Sequence, residues 1–141
     1  MNRRDFLQKS LLATCGIAAA STLLNSCSDD VANPIPPQTP PSIDFTIDIS
    51  TPKYNSLQTN GNYLYANNII IARDSTGNFV ALSQVCTHAG CTIMFNGTNE
   101  FPCPCHGSTY NENGGVLRGP SVTPLKSYNT QLSGTLLRIW G

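Results

Sequence analysis

The residues of this chain that bind metals most strongly are crowded into one short stretch. The 141 residues include six cysteines and two histidines, and four of those cysteines and both histidines fall between positions 86 and 106. Thiolate sulfur and imidazole nitrogen are ligands that suit zinc, copper and iron–sulfur centres. Structural cysteines rarely gather in this way around the only histidines of a chain, so the stretch predicts a metal site.

Two segments carry these residues, and each supplies both kinds of ligand. Residues 86–91 read C-T-H-A-G-C, and residues 103–110 read C-P-C-H-G-S-T-Y. Zinc is one interpretation, because two cysteines and two histidines occur together in structural zinc sites. The spacing is not that of a zinc finger, however, and no helix is predicted to carry a histidine pair. Two structural disulfides beside unrelated histidines are a further alternative.

The paired segments resemble the Rieske iron–sulfur family, whose signature is C-T-H-x-G-C followed by C-P-C-H-G-S. The resemblance implies one [2Fe–2S] cluster per chain, with Cys86 and Cys103 on one iron and His88 and His106 on the other. Neutral imidazoles in place of two thiolates make the reduced state less unfavourable. The potential is then about −150 to +300 mV, against roughly −400 mV in plant-type ferredoxins. The resemblance therefore implies a one-electron carrier.

The same resemblance gives roles to further residues. Cys91 and Cys105 match the pair that forms a disulfide bond in respiratory and photosynthetic Rieske proteins, which indicates the high-potential type. Ser108 and Tyr110 match hydroxyl groups that bond a bridging sulfide and a ligand sulfur, and such bonds raise the potential. The family's cluster-covering loop, G-P-A-P, is replaced here by G-P-S-V-T-P at 119–124, which leaves open a cover of different shape.

The elements that must position these segments read as an all-β fold, a small antiparallel domain. Five segments alternate apolar and polar residues or are rich in strand formers: 43–49, 62–73, 78–85, 125–132 and 135–140. Glycine-containing turns at 74–77 and 133–134 predict hairpins between neighbouring segments. No helix is predicted after residue 27, and Phe79 and Trp140 are predicted to lie in the core.

The first residues have the pattern of an export signal. Arg3 and Arg4 precede a polar residue and then Phe and Leu, which resembles a twin-arginine motif. The apolar stretch 11–24 is shorter than the ~20 residues of a membrane-spanning helix, so it fits a signal peptide better. It ends in L-N-S-C, which resembles a bacterial lipobox and predicts lipid attachment at Cys27.

These patterns predict three parts of the chain and a location for it. Residues 1–26 form a twin-arginine and lipoprotein signal peptide, 27–42 a lipid anchor and proline-rich linker, and 43–141 the Rieske domain. A linker of this composition is either extended or disordered. We expect export across the cytoplasmic membrane and a lipoprotein facing the periplasm or the cell exterior, where a disulfide bond persists.

Composition and length narrow the function. Charged residues are 11% of the chain, with eight basic and eight acidic, so the sequence has no basic footprint for nucleic acid. One candidate is a membrane-tethered electron carrier, and another is the Rieske subunit of a quinol-oxidising cytochrome bc complex or of a periplasmic oxidase resembling arsenite oxidase. A Rieske oxygenase is not expected, since no histidine remains for a mononuclear iron site. We expect a redox partner protein, a cytochrome or a quinol-oxidising complex, and no catalysis by the chain alone.

Overall fold

The computed structural model describes residues 42–141, so the predicted signal peptide, Cys27 and nearly all of the linker lie outside the described residues. The described part contains nine strands and one short 3-10 helix, Asn55–Gln58. The strands are β1 (Asp44–Asp48), β2 (Tyr63–Ala66), β3 (Ile69–Arg73), β4 (Phe79–Ser83), β5 (Glu100–Pro102), β6 (Thr109–Asn111), β7 (Val116–Arg118), β8 (Ser127–Ser133) and β9 (Leu136–Trp140). Within residues 42–141, no helix has the length and apolar character needed to span a membrane.

The strands form two antiparallel sheets. The larger sheet has six strands in the order β1-β9-β8-β4-β3-β2, and the smaller has three in the order β5-β6-β7. Three hairpins, β2–β3, β3–β4 and β8–β9, arise from the segments that alternate or favour strands. The predicted all-β, antiparallel fold class is confirmed.

A turn formed by two asparagines divides one predicted strand segment into two strands. The predicted segment 62–73 is two strands, because Asn67 and Asn68 form a turn with φ angles of 51° and 62°. Asparagine tolerates this left-handed conformation, which two-residue hairpin turns of type I′ require at both central positions. The next turn is closed by the carboxylate of Asp74, whose Oδ1 accepts a 2.8 Å hydrogen bond from the N–H of Asn78.

Strand β3 separates two hydrophobic cores because both of its faces are buried. The loop-side core contains Ile70, Ala72, Leu82, Cys86, Ile93, Phe95, Phe101, Cys103, Tyr110 and Leu125. The far core contains Ile47, Ile49, Leu57, Ile69, Ile71, Ala81, Leu137 and Ile139. Two of the predicted metal ligands are therefore members of a packed core, which fixes their position.

The two aromatic residues predicted for the core are only partly buried. Phe79 packs against the far core, and the guanidinium group of Arg73 lies 5.2 Å from the centre of its ring. Trp140 is the last residue of β9, and the guanidinium group of Arg138 lies 5.0 Å from its ring. Each of these rings is partly exposed and has a guanidinium group within the distance of a cation–π contact.

Candidate metal centre

Three loops meet beside the loop-side core. They are the first loop (86–91) after β4, the second loop (103–108) between β5 and β6, and the covering loop (119–124) between β7 and β8. Thr87 Oγ1 donates a 2.6 Å hydrogen bond to the carbonyl of Thr123, and the N–H of Ser121 donates one of 2.9 Å to Ser108 Oγ. The covering loop is thus bonded to both of the loops that carry the predicted ligands.

The first and second loops repeat one backbone pattern. The N–H of Cys86 donates to the carbonyl of Cys91 at 2.8 Å, and the N–H of Gly90 donates to the carbonyl of Cys86 at 2.9 Å. Cys103 and Gly107 make the equivalent two bonds in the second loop, at 2.7 and 3.1 Å. Both glycines have a positive φ, 76° and 79°, which glycine adopts without steric cost. A similar tight turn therefore presents the predicted ligands of each loop.

The four predicted ligands come together as a buried pair and an exposed pair. Cys86 and Cys103 carry free thiols, interact with each other, and are each only 2% exposed. His88 and His106 lie at the surface with their Nδ1 atoms 3.2 Å apart and their rings at 86° to each other. Two sulfur atoms thus face the protein interior, and two nitrogen atoms converge at its surface.

The remaining two cysteines join the loops covalently. Cys91 and Cys105 form the predicted disulfide bond, with their Cα atoms 6.5 Å apart. Sulfur atoms of Cys91, Cys103 and Cys105 lie within 4.8 Å of one another, which by distance alone could hold a metal ion. Since two of these three sulfurs are bonded to each other and carry no thiolate, we do not assign a site to this group.

Hydroxyl groups surround the sulfur of Cys86. The hydroxyl of Tyr110 lies 3.2 Å from Cys86 Sγ, and that of Ser121 lies 3.6 Å from it. Ser108 is fully buried and accepts the N–H of Ser121, and no residue among 42–141 accepts its own proton. The tuning roles of Ser108 and Tyr110 stay predictions, but both side chains lie at the site.

These surroundings make the two thiols unequal. Burial raises the pKa of the Cys86 thiol, but hydrogen bonds from Tyr110, from the backbone of His88 and from Ser121 outweigh it and bring the pKa down to about 7. Burial raises the pKa of the Cys103 thiol, and the neighbouring sulfur of Cys86 raises it further. The loops therefore stabilise a thiolate first at Cys86.

The donor set fits a [2Fe–2S] cluster with two thiolate and two imidazole ligands. Two nitrogens bound to one tetrahedral metal ion at about 2.0–2.1 Å lie roughly 3.3–3.4 Å apart. The two Nδ1 atoms of the histidines are 3.2 Å apart, close to that separation. The buried hydroxyl of Ser108 has a proton with no acceptor among the described residues, which suits a neighbouring sulfide.

Ser121 is a residue of this site that the sequence pattern did not indicate. It is buried, with 4% of its surface exposed, and contacts both Tyr110 and Cys86. The signal in the sequence was the serine in the covering loop, at a position where the family's G-P-A-P has alanine. Its importance depends on the loop folding back onto the cysteine, which spacing alone does not indicate.

Comparisons with known proteins agree with this geometry. Residues 49–129 match the family model of the Rieske [2Fe-2S] domain. The cytochrome b6-f complex iron-sulfur subunit of Chlorobaculum tepidum is 29% identical over 92% of this chain and 70% of its own length. Subunit 1 of the same complex from Synechocystis is 46% identical, over 41% of this chain and 33% of the relative. The chain spans from a quarter to about two fifths of the first four curated relatives it matches.

Solved structures are similar as well. The plasma membrane Rieske protein PetC3 from Synechocystis PCC 6803 is 30% identical, with a TM-score of 0.47 over 55% of this chain and 82% of that one. The complex between oxygenase and ferredoxin in carbazole 1,9a-dioxygenase is 16% identical, with a TM-score of 0.52 over 70% of this chain and 27% of that one, a likeness of fold alone. The family match covers more than half of the chain and both ligand loops, so the chain belongs to the Rieske [2Fe–2S] domain family, with one [2Fe–2S] cluster as its cofactor.

Proposed function

We propose that this chain is a membrane-tethered one-electron carrier that holds its cluster through Cys86 and Cys103 on one iron and His88 and His106 on the other. The observation that carries the proposal is the convergence of a buried thiol pair and an exposed imidazole pair from two loops with the same backbone hydrogen bonds. The bound cluster supplies a single-electron couple whose potential its ligands and hydrogen bonds set.

The protein groups have separate tasks in this proposal. Burial of Cys86 and Cys103 keeps water from the sulfur ligands. The exposed rings of His88 and His106 are the part of the site that a partner protein can approach most closely. The hydroxyl of Tyr110 lies 3.2 Å from Cys86 Sγ, where a hydrogen bond to the sulfur stabilises the negative charge that reduction adds. We assign the unaccepted proton of the buried Ser108 hydroxyl to a cluster sulfide.

The partner is a redox protein at the membrane, either a cytochrome or a quinol-oxidising complex. A second candidate function is that of a permanent subunit of such a complex, or of a periplasmic oxidase. For this second candidate, the alignment of 92% of this chain with a cytochrome b6-f subunit from Chlorobaculum tepidum favours a quinol-oxidising complex over a periplasmic oxidase. Neither candidate gives the chain a substrate site of its own, and we expect no turnover of small substrates by the isolated protein.

The location in this proposal depends on residues outside the described part. We propose that residues 1–26 are a twin-arginine and lipoprotein signal, that Cys27 carries the lipid, and that residues 27–42 connect it to the domain at 43–141. The protein would then face the periplasm or the cell exterior. The Cys91–Cys105 disulfide supports that setting, since such bonds persist outside the reducing cytoplasm.

The composition of the purified full chain tests the cofactor and its ligands. We expect two irons and two acid-labile sulfides per chain, and a Rieske-type electron paramagnetic resonance spectrum after reduction. Stoichiometric zinc without labile sulfide would contradict the proposal.

Fractionation tests the location independently. Changing Arg3 and Arg4 to lysine should leave the protein in the cytoplasm, and Cys27→Ala should abolish incorporation of labelled lipid. Cys15→Ala, which changes the other cysteine of the N-terminal segment, should leave labelling intact. Membrane-bound, labelled Cys27→Ala protein would show that the lipobox interpretation is wrong.

Recovery from membranes distinguishes the two functions. A tagged full chain extracted in mild detergent should come out free of cytochrome b if it is a tethered carrier, and should then accept electrons from an added membrane fraction. A fixed ratio of cytochrome b to this chain would favour the permanent subunit.

A further inference from the structure

The covering loop brings a further hydroxyl to the sulfur of Cys86. Ser121 Oγ lies 2.5 Å from the hydroxyl of Tyr110 and 3.6 Å from Cys86 Sγ. Ser121 itself is 4% exposed and Tyr110 is fully buried, so water does not compete for these contacts. Tyr110, Ser121 and Cys86 therefore form a closed triangle of polar atoms inside the protein.

The number of available protons shows how the triangle works. Thr87 Oγ1 also lies 3.0 Å from the Tyr110 hydroxyl, but its proton is used in the 2.6 Å bond to the carbonyl of Thr123. An oxygen–oxygen distance of 2.5 Å requires a proton between Tyr110 and Ser121. Only one more hydroxyl proton remains for the sulfur, and a thiolate is the stronger acceptor for it.

The identity of the sulfur's donor follows from the direction of that short bond. If Ser121 donates to Tyr110, the tyrosine proton is directed to Cys86 Sγ. If Tyr110 donates to Ser121, the serine proton goes to the sulfur instead. In the first arrangement Ser121 directs the tyrosine proton to the sulfur and away from Thr87 Oγ1, the competing acceptor at 3.0 Å. In the second arrangement Ser121 donates the proton itself.

We propose that Ser121 is a positioning residue that raises the midpoint potential of the cluster by fixing a hydroxyl proton on Cys86 Sγ. The inference rests on the proposed ligation of the cluster by Cys86. A donor to a ligand sulfur stabilises the reduced form, which carries the extra negative charge. A net hydrogen bond of this kind changes the reduction equilibrium by about two- to tenfold. At 59 mV per tenfold for one electron, this is roughly 20–60 mV.

The test is the midpoint potential of the loaded full-length protein, measured by protein-film voltammetry at fixed pH. Ser121→Ala should shift the potential downward by the amount given above, with iron and sulfide content unchanged. Ser121→Thr, which keeps the hydroxyl, should restore most of the shift. A shift in Ser121→Ala equal to that in Ser121→Thr would overturn the inference.

A matched control removes a hydroxyl from the same loop without touching the triangle. Thr123 contributes only its carbonyl to the hydrogen bonds among residues 42–141, so Thr123→Val should leave the potential unchanged. The double variant Tyr110→Phe/Ser121→Ala should shift the potential by less than the sum of the single changes, because the two hydroxyls act as one unit. Additive shifts would overturn the joint action of the two groups.

Failure of the inference can be separated from failure of the proposed function. Wild-type protein with an intact cluster and a Ser121→Ala variant of unchanged potential would overturn the inference alone. Loss of the cluster in Ser121→Ala would give Ser121 a role in holding the site together and overturn its role in the potential. Wild-type protein without a [2Fe–2S] cluster would contradict the proposed function, and the inference with it.

Discussion

The first and second loops of the metal centre share a backbone but differ in what surrounds their cysteine sulfurs. Each loop closes with the same two backbone hydrogen bonds and has a glycine at positive φ in the same place. Cys86 of the first loop has the hydroxyls of Tyr110 and Ser121 within 3.2 and 3.6 Å. No hydroxyl of residues 42–141 lies within hydrogen-bonding distance of the Cys103 sulfur.

The difference separates two requirements of the site. The shared backbone pattern places one thiol and one imidazole from each loop, which is a matter of geometry. The unequal hydroxyls act on the energy of one sulfur, and they come from β6 and the covering loop rather than from the ligand loops themselves. Burial raises the pKa of both thiols, and only at Cys86 do donors more than offset it, to about 7. The positions of the thiols and the pKa of the Cys86 thiol are therefore determined by different segments.

The largest effect is expected from the ligands, where the two loops should behave alike. We expect the same outcome, loss of the cluster, in four variants: Cys86→Ser, Cys103→Ser, His88→Ala and His106→Ala. Each removes one of the four proposed ligands, and residues 42–141 contain no spare free thiol or imidazole to replace it. Iron, labile sulfide and the visible spectrum measure this. As a control, the paired change of Cys91 and Cys105 to serine should still permit a cluster. Loss on that paired change but retention in Cys86→Ser would exchange the roles assigned to the cysteines.

The disulfide bond should have the next largest effect, and on both loops at once. Cys91 and Cys105 are separated by 14 positions, and a bond closing a loop of that size contributes about 3 kcal/mol to the free energy of unfolding. The paired serine variant should lose about that amount in denaturant unfolding followed by the visible absorbance of the cluster. Val122→Ala, at a side chain that is 92% exposed, is the control and should change little. An unchanged denaturant midpoint of unfolding would show that the other contacts of the loops hold them together without the disulfide bond.

The glycines test whether the two loop backbones are equivalent. Gly90→Ala and Gly107→Ala should each cost about 1–2 kcal/mol, because an L residue is strained at positive φ while the added Cβ meets no atom within 4 Å. Gly134→Ala is the control: it has φ of 60°, also has open space, and lies in the β8–β9 turn. All three variants should lose a similar amount of stability. Only the substitutions at Gly90 and Gly107 should change the electron paramagnetic resonance spectrum of the reduced cluster. A cost several times larger at one loop glycine would break the equivalence.

The parts of the fold that the sequence predicted are those with a long pattern. The far core includes alternate residues of β1 and β9, such as Ile47 and Ile139, and their period-two pattern is visible in the chain. Strands β5, β6 and β7 have three residues each, which is too few to show a period, so the sequence did not predict them. Their positions depend on tertiary pairing around the site.

The candidate site divides in the same way. The residue types of the loops indicated a metal site, and their resemblance to the Rieske signature predicted the disulfide that the structure contains and a set of ligands that stays a prediction. Spacing could not show that the two cysteines predicted as ligands are buried while the two histidines are exposed, since this follows from how the loops lie on the core. Nor could it indicate Ser121, which reaches Cys86 across 35 positions of sequence. Contacts made by a loop that folds back require the structure.

The smallest expected effect concerns the hydroxyls, and it bears most directly on the difference between the two loops. Tyr110→Phe removes the hydroxyl that lies 3.2 Å from Cys86 Sγ. The midpoint potential should fall by roughly 40 mV, which for one electron corresponds to a hydrogen bond of about 1 kcal/mol. Ser108→Ala should lower it as well, by removing the proton assigned to a sulfide. Tyr65→Phe is the matched control, because that hydroxyl donates a 2.8 Å bond to the carbonyl of Ile93 and not to sulfur. Unchanged potentials in both Tyr110→Phe and Ser108→Ala, with the cluster intact, would mean that the hydroxyls gathered on the side of Cys86 stabilise the fold and not the reduced cluster.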